Sequence, residues 1–178
     1  MLYTKLDING AYLIEIEPHK DIRGFFARGF CKKELQEKTG IDFEVCQSNI
    51  SYNIKKGTIR GMHYQIPPYE ETKIISCIKG TIFDVVLDLR KDSPTYLKWQ
   101  GFELNETNHK MLLIPKGCAH GFQSLEDETV LNYLVSQYYT PNADSGVRYN
   151  DPLINIDFPI KDNIIISEKD KNHNNWVM

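Results

Sequence analysis

The chain has 178 residues, 41% hydrophobic and 25% charged, enough to fill one core, and a single domain over residues 1–178 is the expectation. A formal net charge of −3 excludes a general attraction to nucleic acid or to an anionic membrane, so an anionic ligand must be met by a local group of Lys and Arg. No run approaches the ~20 apolar residues of a membrane span, and Met1 to Pro18 lacks the zones of a secretory signal, so a cytoplasmic protein is expected.

In chain order, residues 12–16 form the first predicted strand. Residues 31–38, rich in Lys, Glu and Gln and closed by Gly40, are the only clear helical stretch. β-Branched and aromatic segments bounded by Gly, Pro, Asn or Asp predict further strands over 44–52, 73–78, 81–90, 97–104, 110–114 and 129–139. The stretches around His63 and His120 are also β-rich and punctuated by Gly. Lys79-Gly80 marks a tight hairpin. After it, Phe83, Val85, Leu87 and Leu89 alternate with Asp84, Asp88 and Arg90, the period of two that gives a strand one apolar and one polar face. Many short strands with little helix between them predict an all-β jelly-roll barrel with a few short helices and disfavour a doubly wound α/β fold.

Gln47, Asn49 and Ser51 share one strand face, as do His63 with Gln65 and Tyr133 with Gln137 and Tyr139; Ile50, Tyr52, Tyr64 and Leu134 take the other. Either the polar face meets solvent, or the barrel mouth encloses a polar ligand, and the pattern leaves both open. Arg60 and His63 have opposite parity, so a regular strand would separate them. Gly57 and Gly61 are where a bulge could turn both inward.

Motifs for several other chemistries fail. Gly24 to Gly29 has the first spacing of a phosphate loop, but Phe30 and Cys31 stand where Lys and Ser or Thr are required. Neither a dinucleotide-binding Gly pattern nor a serine-hydrolase elbow occurs. Cys31, Cys46, Cys77 and Cys118 are widely spaced, which suits reduced thiols better than a disulfide frame or a zinc site. Of five His residues, His63 and His120 sit in segments resembling the metal motifs of the cupin superfamily. Gln65, however, replaces the second His of the His-x-His pair. Two imidazoles without a third ligand make a poor transition-metal site, so no metal is expected. That leaves His63 as either a structural histidine or an acid–base group.

Asp21 to Phe26, Gln47 to Ser51, Gly57 to Gln65, Lys73, Asp84 to Arg90, Ser93 to Tyr96, Ile114 to Phe122 and Tyr138 to Pro141 decide between them. In order and spacing, over nearly the whole chain, these segments resemble the dTDP-4-dehydrorhamnose 3,5-epimerase family. The resemblance implies a cupin-like jelly-roll homodimer without metal or organic cofactor, acting on a nucleotide-linked 4-keto-6-deoxy sugar. It implies His63 as base, Asp170 as its carboxylate partner, Lys73 near the C4 oxygen and Tyr133 as acid on the opposite face of the sugar. Arg23, Arg28, Gln47, Asn49, Arg60, His120, Asp144 and Lys169 fall at substrate-contacting positions, and Tyr139 where an aromatic ring stacks on the base.

The chemistry asks for the same residue types. Hydrogens on C3 and C5 flank the C4 ketone, and removing either leaves an enolate whose charge sits largely on the C4 oxygen. A fixed ammonium stabilises that charge, an imidazole steadied by a carboxylate takes the proton, and a phenol returns one from the other side. The chain departs from the family in three places. Arg28 stands where Glu is usual, Asp144 where Glu is usual, and Leu134 where Lys is common. The charge reversal at position 28 leaves the nucleotide and sugar open. A 3,4-ketoisomerase of the same barrel class and a non-catalytic sugar-nucleotide binder remain as rivals.

Overall fold

A computed structural model describes residues 1–177. The first part of the chain forms β1 (Leu2–Lys5), β2 (Tyr12–Glu15), β3 (His19–Asp21), β4 (Gly24–Phe26) and α1 (Lys32–Thr39). There follow β5 (Gln47–Asn53), β6 (Thr58–Gln65), β7 (Lys73–Lys79), β8 (Thr81–Asp88), β9 (Trp99–Asn105) and β10 (Lys110–Ile114). The chain continues through β11 (Cys118–Ser124), β12 (Thr129–Val135), β13 (Asp144–Gly146), β14 (Ile165–Ile166) and α2 (Glu168–Lys171). One sheet runs β1-β2-β10-β7-β12-β5, and a second runs β13-β6-β11-β8-β9 with β14 added parallel to β6. A small β3–β4 hairpin pairs only with itself. The expected all-β jelly roll is what forms.

The two main sheets close on a core of Ile75, Cys77, Leu112 and Leu131 from one side and Ile82, Val86, Leu104 and Phe122 from the other. Each outer face is covered as well. Ile14, Ile74, Met111 and Leu113 pack under Leu35 of α1 and Phe43. Ile59, Met62, Val85, Leu87 and Ala119 pack under Val147, Ile154 and Phe158 of the C-terminal segment. The structure thereby gives the alternation along β8 its sense. Its apolar face, Val85 and Leu87, meets this outer layer, while its polar face puts Asp84 and Asp88 into the barrel, where both are fully buried.

Several predicted ends move, each for a local reason. Strand 129–139 stops at Val135, whose partners Lys73 and Gln47 begin β7 and β5, so no ladder remains for Ser136 to Tyr139. Strand 97–104 starts later, at Trp99, because Leu97 lies in the left-handed region with φ 61° in the turn after β8. Strand 81–90 ends at Asp88, whose carboxylate collects Arg90, Ser93 and Thr95 and folds the chain back. Strand 44–52 becomes Gln47–Asn53, in register with Thr129 to Val135 of β12. The helix lies one residue further on than expected and ends as predicted, with Gly40 at φ 75° donating its N–H to the Gln36 carbonyl.

The parity conflict in β6 is resolved by a bulge. His120 of β11 faces His63 and Phe122 faces Arg60, so two steps on β11 oppose three on β6, and Arg60 and His63 come to the same face. Gly61, with φ 134°, carries the irregularity, and a Cβ there would lie 2.5 Å from the Gly121 Cα. Gly57 lies outside it, in the turn that precedes the strand.

Candidate active site

A cavity of about 340 Å³ opens at one end of the barrel between the sheets. Its walls are Gln47 and Asn49 of β5, His63 and Gln65 of β6, Lys73 of β7 and Tyr133 of β12. Its rim carries Gln137, Tyr139, Asp144 and Lys169. A recess of about 270 Å³ shares Asn49, His63, Lys73 and Tyr133 with it and adds Arg60 and His120. The polar strand faces therefore line a cavity, and Ile50 and Tyr52 on the opposite face of β5 are exposed, as is Asn49 on the lining face of this edge strand.

His63 projects from one sheet and Lys73 and Tyr133 from the other, so the base and acid candidates occupy opposite walls. His63 Nε2 is 2.8 Å from Asp170 Oδ1, and Asp170 Oδ2 accepts the Gly61 N–H at 3.2 Å. Asp170 is brought there by α2, whose cap Ser167 accepts the Asp170 N–H at 3.1 Å. Burial alone would raise the Asp170 carboxyl, but the hydrogen bond and charge of His63, with the Gly61 amide, outweigh it and hold the group below the usual range.

Lys73 is nearly buried, and Glu71 Oε1 lies 2.8 Å from its Nζ. The pair keeps the ammonium in place and partly offsets the penalty of burying it. Gln65 ties Glu71 to the rim through its side-chain amide. Burial, reinforced by the Asp84 carboxylate, pushes the Tyr133 phenol well above its ordinary value, so it stays protonated. Its ring stands edge-on to His120 at 5.6 Å, and His120 Nε2 is 2.7 Å from Asp84 Oδ1. Arg60 is aimed by Asn53, whose Oδ1 accepts from Nε at 2.8 Å. At the rim the Tyr139 hydroxyl donates to Asp144 Oδ2 at 3.1 Å, and Lys169 pairs with the same oxygen.

Eleven of the thirteen expected positions thus converge: ten line the cavity or its recess, and Asp170 stands directly behind His63. Two do not. Arg23 is 85% exposed on the β3–β4 hairpin and pairs with Asp21 at 2.5 Å. Arg28 pairs with Glu34 at 2.9 Å in a separate hollow beside Met1 and Glu17. Within one chain neither reaches the cavity: the hairpin that carries Arg23 pairs with neither main sheet, and Arg28, in the segment between β4 and α1, is turned to Glu34.

The sequence reading missed Glu71 and His173, and saw Asp84 on a polar strand face and in a family segment without giving it a role. Glu71 was findable, because it stands two residues from Lys73 and so on the same side of an extended chain. His173, three residues beyond Asp170, has its ring centroid 5.9 Å from that of His63.

The family model described as dTDP-4-dehydrorhamnose 3,5-epimerase matches residues 5–177. The chain is 41% identical over 172 residues to the dTDP-4-dehydrorhamnose 3,5-epimerase of Methanothermobacter thermautotrophicus, covering 96% of this chain and 91% of the relative. The crystal structure of the enzyme of that name from Elizabethkingia anophelis superposes with a TM-score of 0.96 at 34% identity, covering 99% of this chain and 96% of that one. A dTDP-6-deoxy-D-glucose-3,5-epimerase from Legionella pneumophila, solved with dTDP-4-keto-L-rhamnose, superposes with a TM-score of 0.92 at 34% identity and covers 98% and 92% of the two chains.

Proposed function

Because the chain belongs to the dTDP-4-dehydrorhamnose 3,5-epimerase family and is an isomerase of that kind, we propose that it converts dTDP-4-dehydro-6-deoxy-D-glucose to dTDP-4-dehydro-L-rhamnose in this cavity. The observation that carries the reading is the opposition of a carboxylate-backed His63 to Lys73 and Tyr133 across one cavity. With Nε2 held by Asp170, Nδ1 of His63 is the nitrogen left to accept a carbon-bound proton. The C–H bond at C3 or C5 breaks, its electron pair enters the enolate, and the charge gathers on the C4 oxygen beside the Lys73 ammonium. Tyr133 then gives its proton to the same carbon from the opposite wall, which inverts the centre. Its raised pKa keeps that proton in place until a base as strong as an enolate carbon forms. Exchange with solvent returns His63 and Tyr133 to their starting states, so each turnover in heavy water leaves deuterium in the product.

Tyr139, Asp144 and Lys169 at the rim suit the base and diphosphate of the nucleotide, with Tyr139 stacking and Lys169 meeting negative charge. Arg60 and His120 in the recess suit the sugar. No bound metal or organic cofactor enters these steps. A homodimer accounts for the exposed apolar side chains of Ile22 and Phe26 on the hairpin and of Ile50 and Tyr52 on β5. It also offers Arg23 a route to a substrate, through the cavity of the second copy. Among the described residues no helix is long and apolar enough to cross a membrane, and four free thiols fit a cytoplasmic setting.

Purified protein is given the dTDP-linked 4-keto sugar in deuterated buffer and followed by NMR. Deuterium at C3 and C5 with both centres inverted is the expected result, and no exchange at either carbon sinks the proposal. One specific observation favours a narrower reading. Asp144, a carbon shorter than the usual Glu, is already shared by Tyr139 and Lys169, which fits a single-centre epimerase or another nucleotide. The same experiment run with CDP-, GDP- and UDP-linked sugars separates these.

A further inference from the structure

His173 has no part in the steps above, yet it stands against the residues that perform them. It follows Asp170 by three residues, so one turn brings both to the same side. Its ring lies over the backbone of Gly146, where a Cβ would come within 2.3 Å of Nε2, so the missing side chain makes its place. There Nε2 is buried without a hydrogen-bond partner, 3.8 Å from Asp170 Oδ1. A buried ring nitrogen without a partner calls for an explanation.

The neighbours supply one. Donor atoms, one each from His63, Asp170 and His173, lie within 4.8 Å of one another, and His63 Nε2 is 2.8 Å from Asp170 Oδ1. Two imidazoles and a carboxylate are a donor set of Zn2+, which takes nitrogen and oxygen at roughly 2.0–2.2 Å. These separations place all three donors about an ion with only small side-chain movement. His63 is one-third exposed and lines the cavity, which gives the ion a way in. The positive charge of Lys169 on α2, which would oppose the ion, is held by Asp144. The expectation of no metal counted His63 with His120 and found no third ligand, whereas the fold pairs His63 with two other donors.

We propose that His63, Asp170 and His173 form a Zn2+ site whose loading reversibly stops the epimerase. Bound through Nε2, neutral His63 holds its single proton on Nδ1 instead, the proton leaving Nε2 for solvent and Nδ1 taking one up from solvent. No basic ring nitrogen is then left for the substrate. The inhibitory half rests on the functional reading above; the site itself does not.

Calorimetric titration of the full chain with Zn2+ is expected to give one ion per chain, with a Kd weakened by roughly tenfold or more in His173→Gln. In parallel, Zn2+ should stop deuterium wash-in by the parent, a chelator should restore it, and His173→Gln should keep its exchange at the Zn2+ concentration that silences the parent. Circular dichroism shows that the variant is folded, and His63→Asn, the second variant, should lose the same site. Equal Zn2+ binding by parent and His173→Gln overturns the proposal. So does full exchange by parent saturated with Zn2+. If metal-free protein exchanges nothing, that failure falls on the functional reading, and the isotherms still decide the site.

Discussion

His63 and His120 face each other across β6 and β11, and each has an aspartate on one ring nitrogen, at 2.8 Å for Asp170 and 2.7 Å for Asp84. In chemistry the pairs are alike; in surroundings they are not. His63 is 33% exposed, and its carboxylate has a second donor in the Gly61 amide. His120 is 5% exposed, and Asp84 keeps one oxygen with no partner at all. Burial raises the Asp84 carboxyl, whereas the donors around Asp170 hold it low. Asp88, on the same face of β8 and also buried, collects Arg90, Ser93 and Thr95 and is held at about 2. Donor count, more than depth, decides whether a buried carboxyl in this barrel stays ionised, and the opening to the cavity decides which histidine can exchange a proton with a substrate.

The largest expected effect follows from that contrast. His63→Asn removes the base and should lower epimerisation by roughly 10³- to 10⁴-fold while leaving the fold intact. Activity within tenfold of the parent would collapse the distinction between the pairs. Asp170→Asn keeps the shape but loses the charge behind the imidazole. Its expected loss is roughly 10²-fold, read as a fall in kcat larger than any rise in KM. His120→Asn removes a hydrogen-bonding group from the recess, and a decrease of about 10- to 100-fold is expected. A defect equal to that of His63→Asn would make the more buried pair the working one.

The smallest effect concerns stability. The Asp88 pKa is depressed, so its stabilisation is fully present above the unfolded value near 3.8 and is lost as pH falls toward 2. It amounts to about 2 kcal/mol at neutral pH. Asp88→Asn should therefore lower the denaturation midpoint at pH 7, and the gap to the parent should narrow at pH 3. An unchanged gap would mean that donors do not set this carboxyl.

Much of this was legible because strand alternation and turns are local. The hairpin at Lys79-Gly80, the cap at Gly40 and the polar faces of β5, β6 and β12 all follow from a few neighbouring residues, whereas the inward sense of those faces does not. What depended on a distant partner was not. Which way the polar face of β8 points was not legible, because the layer over Val85 and Leu87 arrives some 70 residues later, with Ile154 and Phe158. Asp170 reads as part of a charged tail, and only a contact 107 residues away in sequence makes it the partner of His63. His173 carried even less signal, since its place is set by the absence of a side chain at Gly146. Arg23 and Arg28 were placed by motif alone, and the hairpin that holds the first and the segment after it that holds the second stand apart from the cavity.

The most direct test compares deuterium wash-in at C3 and C5 of the dTDP-linked 4-keto sugar by His63→Asn and His120→Asn under identical conditions. The account expects no wash-in above background with His63→Asn, and slowed but clear wash-in with His120→Asn. Wash-in that persists in His63→Asn and disappears in His120→Asn would contradict it, by assigning the proton to the more buried pair.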